Sequence, residues 1–238
     1  MKQNKHLTMI EDKIPVPLIW AKKTSSTNDD AKAENREVVV IATKQTKGKG
    51  THGRTFLSPK NKGLYLSMNI YIEHKYEPFI TPIVSVITSL TIDKYLPTET
   101  KIKWINDIYL KSKKICGILV EKGFLYTIGI GINLYRHKFK VENASSIEDE
   151  VSIKVDMNNL IIDLVNDLWN TFNNLNDEML SDLIDIYKDK SFLIGKHIQF
   201  NDGLIYKVID INDLCHLIIQ NEFETKELST ANQFKTID

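Results

Sequence analysis

Residues 41–66 read IATKQTKGKGTHGRTFLSPKNKGLYL. The first two extend an apolar run over 38–42, and Leu64, Tyr65, Leu66 and Met68 lead out, so both flanks read as strands and the middle does not. Between them Gly48, Gly50 and Gly53 interrupt the cations Lys44, Lys47, Lys49, His52, Arg54, Lys60 and Lys62. Glycine lets backbone amides approach a ligand closely, and neighbouring cations favour a negative guest, so a phosphate or carboxylate is one natural reading. A solvated basic hairpin loop is the other. The stretch is not a P-loop, because no Gly-Lys-Ser/Thr leads into a helix. It is not a dinucleotide fingerprint either, because a strand follows it.

The 238 residues suffice for one large domain, or for one domain with a small appendage. Lys and Arg number 31, as do Asp and Glu, so no global field draws the chain to nucleic acid or membrane and any attraction for anions is local. Cys116 and Cys215 form neither a disulfide framework nor a metal-ligand spacing, and they read as two small buried hydrophobes in a reducing compartment. No apolar run approaches the roughly 18 residues of a membrane span. The N-terminal residues, MKQNKHLTMIEDK, lack the apolar core of a secretory signal, which makes a cytoplasmic protein the expectation.

Outward from the central stretch, residues 1–20 read as a leading strand at best, with Pro15 and Pro17 favouring extended backbone. Ser26 or Thr27 can cap a short helix over 28–34, with Asp29 and Asp30 in its first turn. Residues 64–72 alternate as a strand. Pro82 then suits the first turn of a helix whose apolar residues, from Ile83 to Leu96, run to Pro97. A meander of strands is expected over 101–103, 108–110, 115–121 and 124–132, with turns at 111–113 and 121–123. Polar groups at Asn106-Asp107 and Lys113-Lys114 interrupt it, as loop-tip or site residues do. Residues 135–158 lose the pattern and read as a flexible loop. Helical periods return over 160–175 and 177–188. From residue 195 onward come short strands, with a turn at Asn201-Asp202-Gly203 and one last weak strand.

Four segments of this chain, in this order and spacing, resemble the biotin protein ligases. They are Ser26-Thr27-Asn28; the run from Gln45 to Arg54; Lys103-Trp104-Ile105-Asn106-Asp107 with Lys114 and Gly117; and Gly129-Ile130-Gly131-Ile132-Asn133. The resemblance implies an α+β fold, a mixed or antiparallel sheet with flanking helices over 1–190, followed by a small C-terminal β-barrel over 191–238. It implies a ligase without DNA binding, because the about 25 residues before Ser26 are too few for a helix-turn-helix domain.

The chemistry it implies has two steps. The biotin carboxylate attacks the α-phosphate of ATP to give biotinyl-5'-AMP and pyrophosphate. A lysine of a biotin carboxyl carrier protein or domain then attacks the acyl carbon. Mg2+ is expected to arrive mainly on the ATP phosphates rather than on protein ligands. Two anions meet in the first step, so fixed cations and amides have to offset their repulsion, and the intermediate has to be kept from water.

The resemblance implies that Lys114, by position, is the catalytic lysine expected to contact both carboxylate and α-phosphate. It places Ser26, Thr27 and Gln45 at positions that hydrogen-bond the ureido ring, and Gly48, Lys49 and Gly117 at positions lining the same pocket. It places Arg54 and Asn106 at positions that face ATP and its metal, and Asn133 at one that contacts the nucleotide. Phe56 stands where the family has Trp, to stack on adenine or simply to pack. Asp107 matches an acidic residue of the family near the acyl carbon, whose implied role is to orient or deprotonate the incoming lysine. Two positions depart from the family pattern: Thr51 replaces an arginine that covers the adenylate, and Ile105 replaces proline. The resemblance also allows a homodimer. Lipoate and octanoate ligases share this fold, but their Arg-Arg and Gly-Gly-rich signature before a His is missing. A non-catalytic biotin-binding module would not need Lys114, Asn106 and Arg54.

Overall fold

In the strand Val38–Ala42 (β2) successive side chains enter two different cores. Val38 and Val40 pack with Ala31, whereas Val39 and Ile41 join the main core. A strand buried on both faces belongs to a sheet covered on both sides. The computed structural model, which describes residues 9–139, 141–230 and 234–237, has such a sheet of seven strands. The others are β1 (Leu18–Ala21), β3 (Gly63–Ile70), β4 (Lys101–Lys103), β5 (Asp107–Leu110), β6 (Lys113–Lys122) and β7 (Tyr126–Asn133), in the order β1-β2-β3-β7-β6-β5-β4. β1 runs parallel to β2, and every other neighbouring pair is antiparallel.

One face carries α1 (Thr27–Ala33), which lies on β2, β3 and β7. The other carries α2 (Ile80–Asp93), an almost fully buried helix backed by α4 (Met157–Asn174) and α5 (Asp177–Asp189). The caps of the last two are side chains: Asp156 accepts from the backbone of Asn158 and Asn159, and Asn176 from that of Met179. α2 stops at Asp93, short of the expected Pro97. There the Asp93 carboxylate accepts the backbone N–H and the hydroxyl of Thr100, each at 2.8 Å.

Several expectations are corrected. Residues 9–11 form a helical turn rather than part of a leading strand; the first eight residues of that reading lie outside the described residues. Residues 135–158 are not a featureless loop. They contain α3 (Ile147–Val151), whose cap residue Ser146 accepts from Asp149 N at 3.2 Å, and they bury Ser146, Ile147 and Val155. The segment also pairs with β6: Lys114 N donates to Asn143 O at 2.7 Å, and Ser145 N donates to Lys114 O at 2.9 Å.

At the C-terminus, β8 (His197–Phe200), β9 (Ile205–Ile211), β10 (Leu217–Gln220), β11 (Thr225–Leu228) and β12 (Phe234–Thr236) form an antiparallel sheet ordered β11-β10-β9-β8-β12. The single weak last strand of the sequence reading is thus two strands. Ile198, Tyr206, Val208 and Leu217 join the main core. Trp104 Nε1 donates to Cys215 O at 2.8 Å, and Ile102 and Phe192 exchange backbone bonds with Lys190 and Ile102. These bonds anchor the segment before Asn106 on the end of α5, on the stretch that leads into β8 and on the turn between β9 and β10. Both cysteines are free and buried, and burial pushes the Cys215 thiol up to about 12. Among the described residues no helix is long and apolar enough to cross a membrane.

Candidate active site

The strand alternation that sends Leu64, Leu66 and Met68 into the main core turns Tyr65, Ser67 and Asn69 toward the α1 face. Register then lines up Tyr65, Gly131, Gly117 and Asp107 across β3, β7, β6 and β5, with Ser67, Gly129 and Leu119 in the next row. Glycine is required along these rows by close approach. A Cβ on Gly131 would lie 2.4 Å from the Phe56 ring, and one on Gly129 would lie 2.1 Å from Asn28 Oδ1. The glycines form the floor of a cavity walled by the start of α1, the basic loop and the strands β5, β6 and β7.

One wall is a chain of neutral hydrogen bonds. Gln45 Oε1 accepts from Thr27 N at 2.8 Å and from Thr27 Oγ1 at 3.1 Å, and Gln45 Nε2 donates to Ser58 Oγ at 2.8 Å. Ser58 Oγ in turn donates to Phe56 O at 3.1 Å. Below it, Ser67 Oγ lies 2.7 Å from Thr27 Oγ1 and 2.6 Å from Asn28 Oδ1. Ser26 occupies the N-cap of α1, but its side chain forms no capping hydrogen bond. The expected cap is therefore one of backbone position only, and the hydroxyl is not engaged in it.

The opposite end is charged. Lys114 Nζ pairs with Asp107 Oδ1 at 2.6 Å, with the side chains 31% and 26% exposed. Asn106 Nδ2 donates to Ile118 O at 2.6 Å, while Ile118 N donates to Asn106 O at 3.0 Å. Lys103, held below the ordinary lysine range by burial, stands over the Tyr109 ring at 5.5 Å. The peptide before Ile105 is cis.

The basic loop folds back on itself: Phe56 N donates to Gly48 O at 2.9 Å and Gly50 N to Arg54 O at 2.8 Å. Its tip is a 3₁₀ turn, Thr51–Gly53, where His52 and Gly53 have φ of 53° and 70°. Lys49 bonds Asp29 of α1, and that hydrogen bond raises its ammonium above the ordinary lysine range.

Residues 20–133, which contain every residue lining this cavity, match the Biotin/lipoate A/B protein ligase family. That stretch, just under half of the chain, is similar to the family. The bifunctional ligase/repressor BirA of Escherichia coli is 32% identical over 139 residues, 54% of this chain and 43% of that protein. The biotin--[acetyl-CoA-carboxylase] ligase of Mycobacterium tuberculosis is 26% identical over 200 residues, 74% of this chain and 71% of that protein. The match spans about half the length of the first curated relatives. The biotin protein ligase of Aquifex aeolicus in complex with biotin and ATP superposes with a TM-score of 0.80 at 22% identity, covering 93% of this chain and 98% of that one. This likeness concerns the fold.

Within residues 20–133, Ser26, Thr27, Gln45, Lys49, Phe56, Asn106, Asp107, Lys114 and Gly117 line the one cavity, together with Thr51. Three expected residues do not line it. Gly48 supports the wall from behind, where a Cβ would lie 2.5 Å from Phe56 O. Arg54 is exposed and borders a separate groove with Phe200, Phe234 and Lys235 of the C-terminal sheet. Asn133 is buried, and its Nδ2 donates to Ser145 O at 3.1 Å.

The sequence reading missed Ser58, Ser67 and the structural part played by Asn28. For Ser67 a signal was present, since it is a polar position inside the apolar strand LYLSMNI. Phe56 packs over Gly117 and Gly131, edge-on to Tyr65 at 6.5 Å. Among the described residues no group of three or more His, Cys, Asp or Glu stands together to hold a metal.

Proposed function

We propose that the chain is an ATP-dependent biotin protein ligase that activates biotin as biotinyl-5'-AMP and transfers it to a lysine of a biotin carboxyl carrier protein or domain, as in acetyl-CoA carboxylase. One observation carries this reading: a neutral hydrogen-bonding wall and a Lys114–Asp107 pair face one cavity over a glycine floor. A rigid, uncharged ureido ring needs donors and acceptors already in place, and Ser26, Thr27 and Gln45 provide them. A guest without matching groups would leave them unpaired.

In the first step two anions approach each other. Lys114 is the cation between them, and its ammonium stabilises the charge that builds up as the carboxylate oxygen bonds phosphorus and pyrophosphate leaves. Once Lys114 has turned to these anions, Asp107 is free to accept the proton of the incoming lysine ammonium. The amine then attacks the acyl carbon and AMP departs. Mg2+ bound to the ATP phosphates would neutralise part of their charge. Asn106, with Nδ2 committed to Ile118 O, keeps Oδ1 for that side of the cavity, and Arg54 and Asn133 act toward the nucleotide once the loop has closed. Lys49, Gly48 and Gly117 bound the biotin side.

For this function the chain divides into a catalytic part, residues 1–190, and the C-terminal β part, residues 191–238, working in the cytoplasm. The deciding experiment is pyrophosphate exchange into ATP with biotin and lipoate side by side. Exchange with biotin that disappears in Lys114→Ala is expected. Exchange with lipoate alone, or with neither, would overturn the proposal.

A further inference from the structure

At the carboxyl ends of the parallel strands β1 and β2 the chain forms a second cleft, lined by Lys22, Lys23, Thr43, Lys44, Lys60 and Asn61. It shares no residue with the cavity above. Its four lysines are exposed, and among the described residues none of them forms an ion pair. By contrast, Lys32, Lys49, Lys94, Lys114, Lys122 and Lys190 each pair with a carboxylate. The chain has as many acidic as basic residues, yet no carboxylate lines this cleft. Unpaired like charges converging on one concavity repel each other and produce a strong local positive potential.

Main-chain bonds fix the shape of the cleft. Thr43 N donates to Ala21 O at 2.9 Å, Thr24 N to Lys44 O at 3.1 Å and Asn61 N to Thr43 O at 3.2 Å. Trp20 Nε1 adds a bond to Thr43 Oγ1 at 3.2 Å, and Asn61 holds the left-handed conformation that brings Lys60 back beside Lys44 (φ 58°). The three segments that carry the lysines are therefore bound to one another before any ligand arrives.

We infer that this cleft binds a compact polyanion with several negative charges, the phosphate chain of a nucleoside triphosphate or inorganic polyphosphate, at a site separate from the one proposed for catalysis. Lysine ammonium groups are point charges without the planar fork that matches a single carboxylate, so several together select charge density. The four cations share one concavity and the chain is neutral overall, an arrangement that suits a compact polyanion better than the long backbone of a nucleic acid. Lys44 and Lys60 stand one and two residues from Gln45 and Ser58, which places the cleft behind the hydrogen-bonded wall of the cavity.

The test is titration of the full chain with inorganic tripolyphosphate at low ionic strength, read by calorimetry and by the fluorescence of Trp20 against Trp20→Phe. The combined variant Lys44→Glu, Lys60→Glu should weaken binding by about ten-fold or more, Lys114→Ala should leave it within about two-fold, and orthophosphate should bind about ten-fold more weakly. If charge reversal unfolds the chain, Lys22→Gln with Lys23→Gln should give a smaller loss in the same direction. Binding that disappears in Lys114→Ala but survives both lysine variants would put the anion in the catalytic cavity and overturn the inference. A duplex oligonucleotide that binds more tightly than tripolyphosphate would overturn it too. Pyrophosphate exchange is measured separately, so failure of the ligase reading is distinguishable from failure of this one.

Discussion

Lys114 and Asp107 form their 2.6 Å ion pair without being cross-strand partners. Asp107 stands opposite Gly117 and Lys114 opposite Tyr109, with the register shifting between Ile108 and Tyr109. The lysine therefore reaches along the sheet over Gly117, whose Cβ would lie 3.3 Å from Nζ. A bulge that re-aims a side chain and a glycine that leaves it room together bring the two charges onto the cavity floor.

This geometry separates the two steps of the proposed reaction. Lys114→Ala should lower biotin-dependent pyrophosphate exchange by about 10²–10³-fold. Asp107→Asn should lower single-turnover transfer from preformed biotinyl-5'-AMP to the carrier lysine by about 10²-fold, with a much smaller effect on exchange. Equal losses in both assays for Asp107→Asn would remove its separate role.

Gly129 meets Asn28 Oδ1, which is already engaged with Ser67 while Asn28 Nδ2 donates to Glu121 at 2.8 Å. An added methyl has no flexible neighbour to displace. Gly129→Ala should therefore destabilise the fold by about 1–3 kcal/mol. Adding Asn28→Ala should recover part of that loss, a coupling that denaturant unfolding of the four chains would measure. Strict additivity would show that the clash is relieved elsewhere.

Gln45 holds Thr27 through two contacts and Ser58 through a third. Gln45→Ala leaves the N–H of the buried Thr27 without its acceptor, a cost of about 1–3 kcal/mol. Because the amide contacts the bound ring rather than the reacting atoms, KM for biotin should rise by about ten-fold or more while kcat changes less. Steady-state kinetics with biotin as the varied substrate checks this, and a fall confined to kcat would contradict it.

What was legible in the sequence follows from what side-chain identity encodes. The apolar run Val38–Ala42 reads as a strand through residue type alone, whereas its burial on both faces, and the close approach of Phe56 and Asn28 to the glycines at 131 and 129, depend on how the other elements pack against the sheet. Residues 135–158 were opaque because the helix Ile147–Val151 is too short to show a period. Their bonds to β6, from Asn143 O and Ser145 N, are made by backbone. Arg54 was identified as a site residue, but its exposure depends on how the hairpin closes between Gly50 and Arg54, which no residue type specifies. Asn133 is assigned to the nucleotide by the resemblance, and in the fold its amide donates to Ser145 O.

Lys190 and Asp93 tie the end of α5 to the end of α2, with Nζ and Oδ2 2.6 Å apart and the side chains 7% and 16% exposed. Lys190→Ala leaves a largely buried carboxylate that still holds Thr100 but has lost its cation. Truncating one partner of a buried pair costs about 3–5 kcal/mol, whereas replacing both with apolar groups can be nearly neutral. Lys190→Met with Asp93→Leu should therefore be more stable than Lys190→Ala alone by urea unfolding, although Thr100 loses its acceptor. The reverse order would show that the pair contributes net stability.

Glu121 links β6 to α1, accepting Asn28 Nδ2 at 2.8 Å and pairing with Lys32 Nζ at 2.6 Å. Burial pushes its carboxyl up, but the hydrogen bonds from Lys32 and Asn28 outweigh burial and leave it below the ordinary value of 4.5. A carboxyl whose folded pKa lies below its unfolded pKa contributes stability that is present in full above the unfolded value and is lost as pH falls through the folded value. Glu121→Gln should accordingly be less stable than the native chain at neutral pH. Thermal unfolding of both proteins from neutral to about pH 3 should show that gap close on acidification below the ordinary carboxylate value. A gap that stays constant across the range would mean that Glu121 acts through packing and not through its charge.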